Sequence, residues 1–143
     1  MRVTWRPEGE TEQVWQFDPD DVLESEAELI QKRFPGTYDE FASKVRAGDA
    51  KARKVLLWHL LRRTHRELRF EDVPDYRRKQ LAVDYDVNEL IVMRDRLLKA
   101  DGIPDDAREA ALGSVEFELS ERLGEQADDL PVVDPGKASP SVA

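Results

Sequence analysis

The chain has 143 residues, of which 40% are hydrophobic, and this size and composition suit one folded domain. The absence of cysteine excludes a disulfide framework, a thiolate nucleophile and a cysteine-based zinc site. A net charge of −9 disfavours nucleic acid and anionic lipid as partners unless the basic residues cluster on one face. The sequence has no basic-then-apolar leader and no apolar stretch long enough for a membrane span, so we expect no membrane association.

The N-terminal segment predicts a β-hairpin. Residues 2–6 and 12–17 are β-rich runs with partial alternation, separated by a turn that contains proline and glycine. Trp5 and Trp15 are expected on one face of this hairpin, where they either form a cross-strand aromatic pair or pack the hairpin against helices. We favour the second role.

A short first helix is predicted to follow. Ser25 and Glu28 have the spacing of a capping box, and Pro35 marks where the helix has to end.

Residues 37–66 predict two further helices joined by a tight corner, around which we expect the rest of the chain to pack. Thr37 begins the first of them with another capping-box spacing, while Gly48 suits its end and Asp49 the start of the next. From Val55 to Leu61 all residues but one are apolar, so apolar side chains surround the helix axis. This pattern is typical of a buried helix.

The second half of the chain predicts two more helices after an irregular stretch. Residues 67–85 have mixed signals, and we expect irregular structure there with at most a short helix. Asp86 begins an amphipathic pattern that closes at Gly102, and Pro104 suits the start of a last helix with a seam of apolar residues. The seam consists of Leu112, Val115, Leu119 and Leu123.

From about Gln126 the composition turns to Asp, Pro, Gly, Ser and Ala, which favours a flexible tail. The predicted fold class is therefore mainly α. We expect a small helical domain over residues 1–125 with a short N-terminal β-hairpin, and a disordered C-terminal tail over residues 126–143.

Catalytic and metal-binding patterns are weak in this sequence. His59 and His65 do not have the i, i+4 spacing of a helical metal site, and no phosphate-binding, dinucleotide-binding or hydrolase motif occurs. We expect His59 to be a core or boundary histidine with a local partner, and the acidic pairs near predicted helix starts to serve as caps. The prediction is a protein that is not an enzyme, with no cofactor and no metal site.

Two basic clusters keep a small DNA-associated regulator open as an alternative. They comprise Arg62, Arg63, Arg66 and Arg69, and then Arg77, Arg78 and Lys79. Two helices with a short turn are also typical of a helix-turn-helix, but the second helix is too apolar to lie in a major groove. We expect these cations to pair with carboxylates and to cover apolar surface with their stems.

Three segments in a fixed order point to a known family. They are SEAELIQKRFPGTYDEF, the Gly-Asp corner within VRAGDAKARKVLLWHLLRR, and the LRFEDV that follows. Their order resembles the tail assembly chaperones of long-tailed, siphovirus-type bacteriophages, particularly those of actinobacterial hosts. The resemblance extends over roughly residues 15–75 and rests on the order of the segments, because no single motif is specific.

The resemblance implies a non-enzymatic protein whose partners are the tape measure protein and the major tail tube protein. It would promote tail-tube polymerisation in the host cytoplasm, be absent from the mature virion, and also be made in a frameshift-extended form. We expect an apolar groove for an extended helical partner, with Leu68, Phe70, Tyr76 and Tyr85 as candidate partner-binding residues. Simple burial of these side chains is the alternative.

The resemblance implies no nucleic acid or membrane partner. Whether the chain forms a homo-oligomer, or serves as another kind of phage-encoded adaptor protein, is left open by the sequence.

The frameshift hypothesis makes a prediction about the gene. Pro135, Gly136 and Lys137 can be encoded by CCG GGA AAG, which contains the heptamer G GGA AAG on which both tRNAs can slip back and still pair. If the heptamer is present, silent recoding that destroys it should abolish a larger product detected with an antibody to residues 1–125. A larger product that survives recoding would place the shift elsewhere, and a GGC codon at Gly136 would remove the heptamer altogether.

Overall fold

The computed structural model describes residues 1–129 and is mainly helical. Its three strands are β1 (Arg2–Trp5), β2 (Gln13–Gln16) and β3 (Leu81–Asp84), which form one antiparallel sheet in the order β2-β1-β3. Its helices are α1 (Glu24–Arg33), α2 (Tyr38–Ala47), α3 (Ala50–Leu61), α4 (Val87–Lys99) and α5 (Asp105–Asp129). The predicted mainly α fold with an N-terminal β-hairpin is confirmed.

The chain divides into two compact units, and the division falls directly after β3. The first unit, residues 1–84, contains the sheet and α1 to α3; the second begins at Tyr85 and contains α4 and α5. Helix α5 continues through Asp129, past the boundary at residue 126 that the composition predicts for the tail. The Gly136-Lys137 pair lies outside the described residues.

The corner between α2 and α3 forms as the sequence predicts. The Thr37 hydroxyl accepts a hydrogen bond from the Glu40 backbone N–H at 3.1 Å, but the Glu40 side chain does not accept one from the Thr37 N–H, so half of the predicted capping box forms. Gly48 takes a left-handed φ of 85° at the end of α2. The Asp49 carboxylate then accepts from the Ala52 N–H at 2.9 Å, which caps α3.

Helix α3 ends at Leu61, earlier than the predicted Arg66. Beyond it the N–H groups of Arg63 and Thr64 bond back three residues, to the carbonyls of Leu60 and Leu61. These shorter bonds tighten the last turn and end the helix.

The core of the first unit surrounds α3, as predicted. Every residue from Val55 to Leu61 is buried. The side chains that cover them come from the sheet, α1 and α2, and include Val3, Phe17, Ile30, Phe41 and Val45.

The tryptophans of the hairpin do not face each other across the strands. The register places Trp5 opposite Gln13 and Trp15 opposite Val3, so the predicted cross-strand aromatic pair is wrong. Trp5 instead meets Tyr76 edge to face, with ring centroids 5.2 Å apart, and both tryptophans pack against the core. The favoured role, packing the hairpin against the rest of the unit, is confirmed.

Residues 67–85 are more regular than the sequence predicts. They contain two 3₁₀ turns, Phe70–Asp72 and Arg78–Gln80, followed by strand β3. The strand pairs with β1 from Leu81 opposite Trp5 to Asp84 opposite Arg2. Its hydrogen-bonding partner is thus distant in sequence, and a local pattern of four residues does not reveal such a pairing.

The predicted capping box of α1 is wrong. The helix begins at Glu24 with Leu23 as its N-cap, and no side chain caps it; Ser25 is already helical. Glu24 and Glu26 lie in the first turn, where their charges interact favourably with the helix dipole. The predicted end before Pro35 is confirmed, because α1 stops at Arg33.

The second unit is a helical hairpin with a small core. Asp86 and Glu89 form the capping box of α4, as its start in the sequence predicts. Leu90 from α4 packs with Val115 and Leu119 from α5, and these three are its buried hydrophobic residues among those described. Of the predicted seam, Leu112 and Leu123 lie outside this core, and 49% of the surface of Leu123 is exposed.

Truncation inside the α3 core tests the importance of this helix. Leu57→Ala removes a fully buried side chain and should lower the free energy of unfolding by about 2–5 kcal/mol. Leu23→Ala is the control, since Leu23 is 74% exposed and should change stability by less than about 0.5 kcal/mol. Urea denaturation of both variants measures the difference, and equal midpoints would show that α3 is not the core.

Candidate partner-binding site

The four candidate residues from the sequence do not form one site. Leu68, Phe70 and Tyr76 belong to the first unit and are partly buried against its core. Tyr85 belongs to the second unit, where 37% of its surface is exposed.

Phe70 is engaged in packing within the first unit. Its ring meets Trp58 edge to face at 5.8 Å between centroids. The Lys54 ammonium lies 4.7 Å from the ring centroid and the Arg33 guanidinium 5.2 Å, which are cation–π distances. Because cations and α3 cover this ring, Phe70 contributes to the stability of the unit rather than to an open groove.

Leu68 and Tyr76 do come together, in a groove with a volume of about 770 Å³. We call it the Trp5 groove. Its apolar lining consists of Trp5, Pro7, Leu61, Leu68, Pro74 and Tyr76. The charged side chains along it are Glu8, Glu10, Asp75 and Arg77, and His65 also lines it.

Hydrogen bonds from neighbouring elements hold the lining of the Trp5 groove in place. The Trp58 indole donates to the Leu68 carbonyl at 2.9 Å, which ties the loop after α3 to that helix. The Gln80 side chain donates to the Arg6 carbonyl at 3.1 Å, and the Arg6 N–H donates to the Gln80 carbonyl at 2.8 Å. The end of β1 and the start of β3 are thereby locked together beside the groove.

The lining of the Trp5 groove combines apolar and polar side chains, which suits an amphipathic ligand. Burial raises the pKa of the Tyr76 hydroxyl, so this side chain stays neutral near pH 7. Trp5 is buried beneath the groove, with 3% of its surface exposed, so the accessible apolar surface comes from the partly buried Leu68 and Tyr76. Large aromatic side chains such as that of Tyr76 are common anchors in protein interfaces. The arrangement is that of a groove in which apolar and charged side chains lie side by side.

His59 is buried away from this groove, as the sequence predicts for a core histidine. Its Nδ1 lies 3.5 Å from a Glu26 carboxylate oxygen, and its ring meets Phe17 at 5.7 Å between centroids. Burial lowers the pKa of His59, and the positive charge of Arg63 lowers it further, while Glu26 acts in the opposite direction. The partner of His59 is therefore Glu26 on α1, which is not a neighbour in the sequence.

Several arginines of the two basic clusters are bonded within the first unit. Arg62 lies 4.9 Å over the Trp58 ring and 3.4 Å from Glu26. The others donate to backbone or carboxylate oxygens: Arg63 to Gln16 at 3.1 Å, Arg69 to Asp72 at 3.0 Å and Arg78 to Gly48 at 2.9 Å. Such contacts are typical of arginines that stabilise the fold.

Charge is unequally divided between the two units. Residues 1–84 contain 17 acidic and 16 basic side chains, whereas residues 85–143 contain 14 acidic and 6 basic ones. Almost all of the net negative charge therefore belongs to the second unit.

A second groove, between α4 and α5, has no counterpart in the sequence analysis apart from Tyr85. It has a volume of about 480 Å³ and an apolar lining that includes Leu90, Met93, Leu97 and Val115. Two small residues also line it: Ala100, directly after the end of α4, and Ala111 on α5. Alanine fills less space than the larger apolar residues of the amphipathic pattern. Its presence at these two positions is the signal that would have predicted a gap between the helices.

Among the side chains that the structure describes, those of residues 1–126, no three of the types that bind metals are grouped closely enough to hold an ion. In the same residues, no helix is both long and apolar enough to cross a membrane. Comparisons of the chain with protein-family models, curated proteins and solved structures give no match.

The environment of His59 predicts a pH-dependent stability. Because the pKa is lowered in the folded state, the unfolded chain takes up a proton more readily, and stability falls as the pH drops below about 6.5. We expect His59→Gln to flatten the stability profile between about pH 7.5 and 5.5, measured by urea denaturation. His65→Gln, at the exposed second histidine, is the control and should keep the wild-type slope.

Proposed function

We propose that this protein is a non-enzymatic tail assembly chaperone of a siphovirus-type bacteriophage. In this role it binds the tape measure protein and promotes polymerisation of the major tail tube protein around it. The observation that supports the proposal best is the Trp5 groove, which lies on the unit that contains the family-like segments of roughly residues 15–75.

The Trp5 groove has the properties required to hold a helical segment. An amphipathic helix binds a groove through apolar side chains at positions i, i+3, i+4 and i+7. Leu68 and Tyr76, which are partly exposed, provide the apolar surface for such side chains. Glu8, Glu10 and Asp75 provide partners for lysine or arginine beside them. The tape measure protein, a long helical protein, offers segments of this kind in the family that the sequence resembles.

A chaperone role follows from what such binding does to the partner. Apolar stripes of a long helical protein associate with one another before tube subunits cover them. A bound acidic protein covers these stripes and adds negative charge, which keeps the complexes apart in solution. Tube subunits then replace the chaperone, which stays in the host cytoplasm and is absent from the virion. The frameshift-extended form adds a second module after the described residues.

The alternatives use different features of the molecule. Another phage-encoded adaptor would use the same groove for another helical partner. A DNA-associated regulator needs free arginines, and the internal bonds of Arg63, Arg69 and Arg78 give that function less support. Binding to duplex DNA that falls steeply with added salt would favour the regulator, whereas neighbouring genes for a tube protein and a tape measure favour the chaperone.

Co-expression with the tape measure protein of the same genome tests the proposal. The wild-type chain should co-purify with the tape measure protein and increase its soluble fraction. Leu68→Ser removes an apolar side chain from the Trp5 groove but leaves the backbone carbonyl that Trp58 binds, so it should reduce both effects.

Val14→Ser is the matched control, because Val14 is an apolar residue outside the Trp5 groove with 49% of its surface exposed. It should behave like wild type. Circular dichroism of both variants shows that each is folded. The proposal fails if the wild-type chain neither co-purifies with the tape measure protein nor changes its solubility.

A further inference from the structure

Helix α5 is much longer than the helix it packs against. With 25 residues it is about 37 Å long, whereas the 13 residues of α4 extend over about 20 Å. Val115 and Leu119 give α5 its buried side. Among the described residues of the second unit, none packs against the opposite side.

Phe117 is the most exposed aromatic residue on that opposite side. At 100° per residue it points about 160–200° away from Val115 and Leu119, and 64% of its surface is exposed. A phenylalanine in water costs free energy unless another surface covers it. Its position therefore favours a role in docking.

Two glycines lie on the same side of α5 as Phe117. Gly113 and Gly124 are four and seven residues away from it, spacings that keep all three on one helix face. A Cβ built at either glycine would meet no atom within 4 Å, so packing inside the chain does not require glycine there. Glycine is unfavourable in a helix interior, and its use here leaves a flat surface that another backbone can approach closely.

Carboxylates border this face on both sides. The sequence of α5 contains nine acidic residues and two arginines. Glu109 and Glu116 lie along one border and Glu121 along the other, and all three are exposed. Among the described residues none of these three has an ion-pair partner.

We propose that this side of α5, the Phe117 face, docks a basic amphipathic helix of a partner protein. Apolar side chains of the partner cover Phe117 and approach the two glycines, while its lysines or arginines pair with the bordering carboxylates. A second copy of this chain is the wrong occupant, because it would bring the same carboxylates against each other. The inference concerns another unit than the Trp5 groove and does not rest on the proposed function.

The probe for the test is a fluorescein-labelled synthetic peptide of about 18 residues, or five helical turns, with leucines on one face and lysines elsewhere. Fluorescence anisotropy measures its binding to the complete 143-residue protein. We expect binding by this peptide and none by the version with glutamate in place of lysine. Phe117→Ser should weaken binding by about tenfold or more, as for an aromatic anchor of an interface.

Each variant has a matched control on the same helix. Leu123→Ser also removes an exposed apolar side chain but lies outside the face, and it should leave the affinity unchanged. Glu116→Gln with Glu121→Gln should weaken binding and reduce its salt dependence, whereas Glu118→Gln, which lines the α4–α5 groove, should not.

Gly124→Ala separates binding from folding. Alanine is the better helix former, so this variant should raise the melting temperature, yet its methyl group on the face should weaken binding by about tenfold. Equal losses for Phe117→Ser and Leu123→Ser, or equal binding of both peptides, would overturn the proposal. A wild-type dimer that Phe117→Ser converts to monomer, seen by light scattering, would assign the face to self-association and overturn it too.

Discussion

The first unit depends on covering one helix on every side. Helix α3 is apolar around its whole circumference, so it cannot lie on a surface, and each neighbouring element buries part of it. Phe17 and Val3 come from the hairpin side, Ile30 from α1, and Phe41 and Val45 from α2. The capped corner at Gly48 and Asp49 allows α2 to fold back on α3 at once, which places two of these elements without any long loop.

The Trp5 groove depends in turn on a pairing between distant parts of the chain. Strand β3 lies beside β1 with Leu81 opposite Trp5, and Tyr76 reaches the Trp5 ring from the segment just before that strand. A register shift by one residue would turn Leu81 from the buried face of the sheet to the other face and move Tyr76 with it. The floor of the groove is therefore determined by tertiary pairing, even though most of its side chains lie in irregular segments.

Local signals explain what the sequence reveals and what it does not. The caps at Thr37, Asp49 and Asp86 were predictable, because each is a side chain that bonds to backbone three residues away. The same rule failed at Ser25, because the helix begins two residues earlier, with Leu23 as its N-cap, and carboxylates in the first turn take the place of a side-chain cap. Strand β3 forms by pairing with β1, which is distant in sequence, and the fold places Leu68 and Tyr76 along one groove. No spacing in the sequence predicts either feature.

The division of charge changes how the acidity of the chain should be interpreted. An acidic protein repels nucleic acid only where its charge is located, since salt screens charges beyond about 8–10 Å. Residues 1–84 are close to neutral, with 17 acidic and 16 basic side chains, so net charge alone does not exclude nucleic acid from the first unit. The stronger argument against it is local, because Arg63, Arg69 and Arg78 are each held by a hydrogen bond to an oxygen of the same unit. In the second unit the charged groups are not paired in this way. Among the described residues, the carboxylates along the Phe117 face have no cation as a partner. Their negative charge is therefore a reason to expect a basic binding partner.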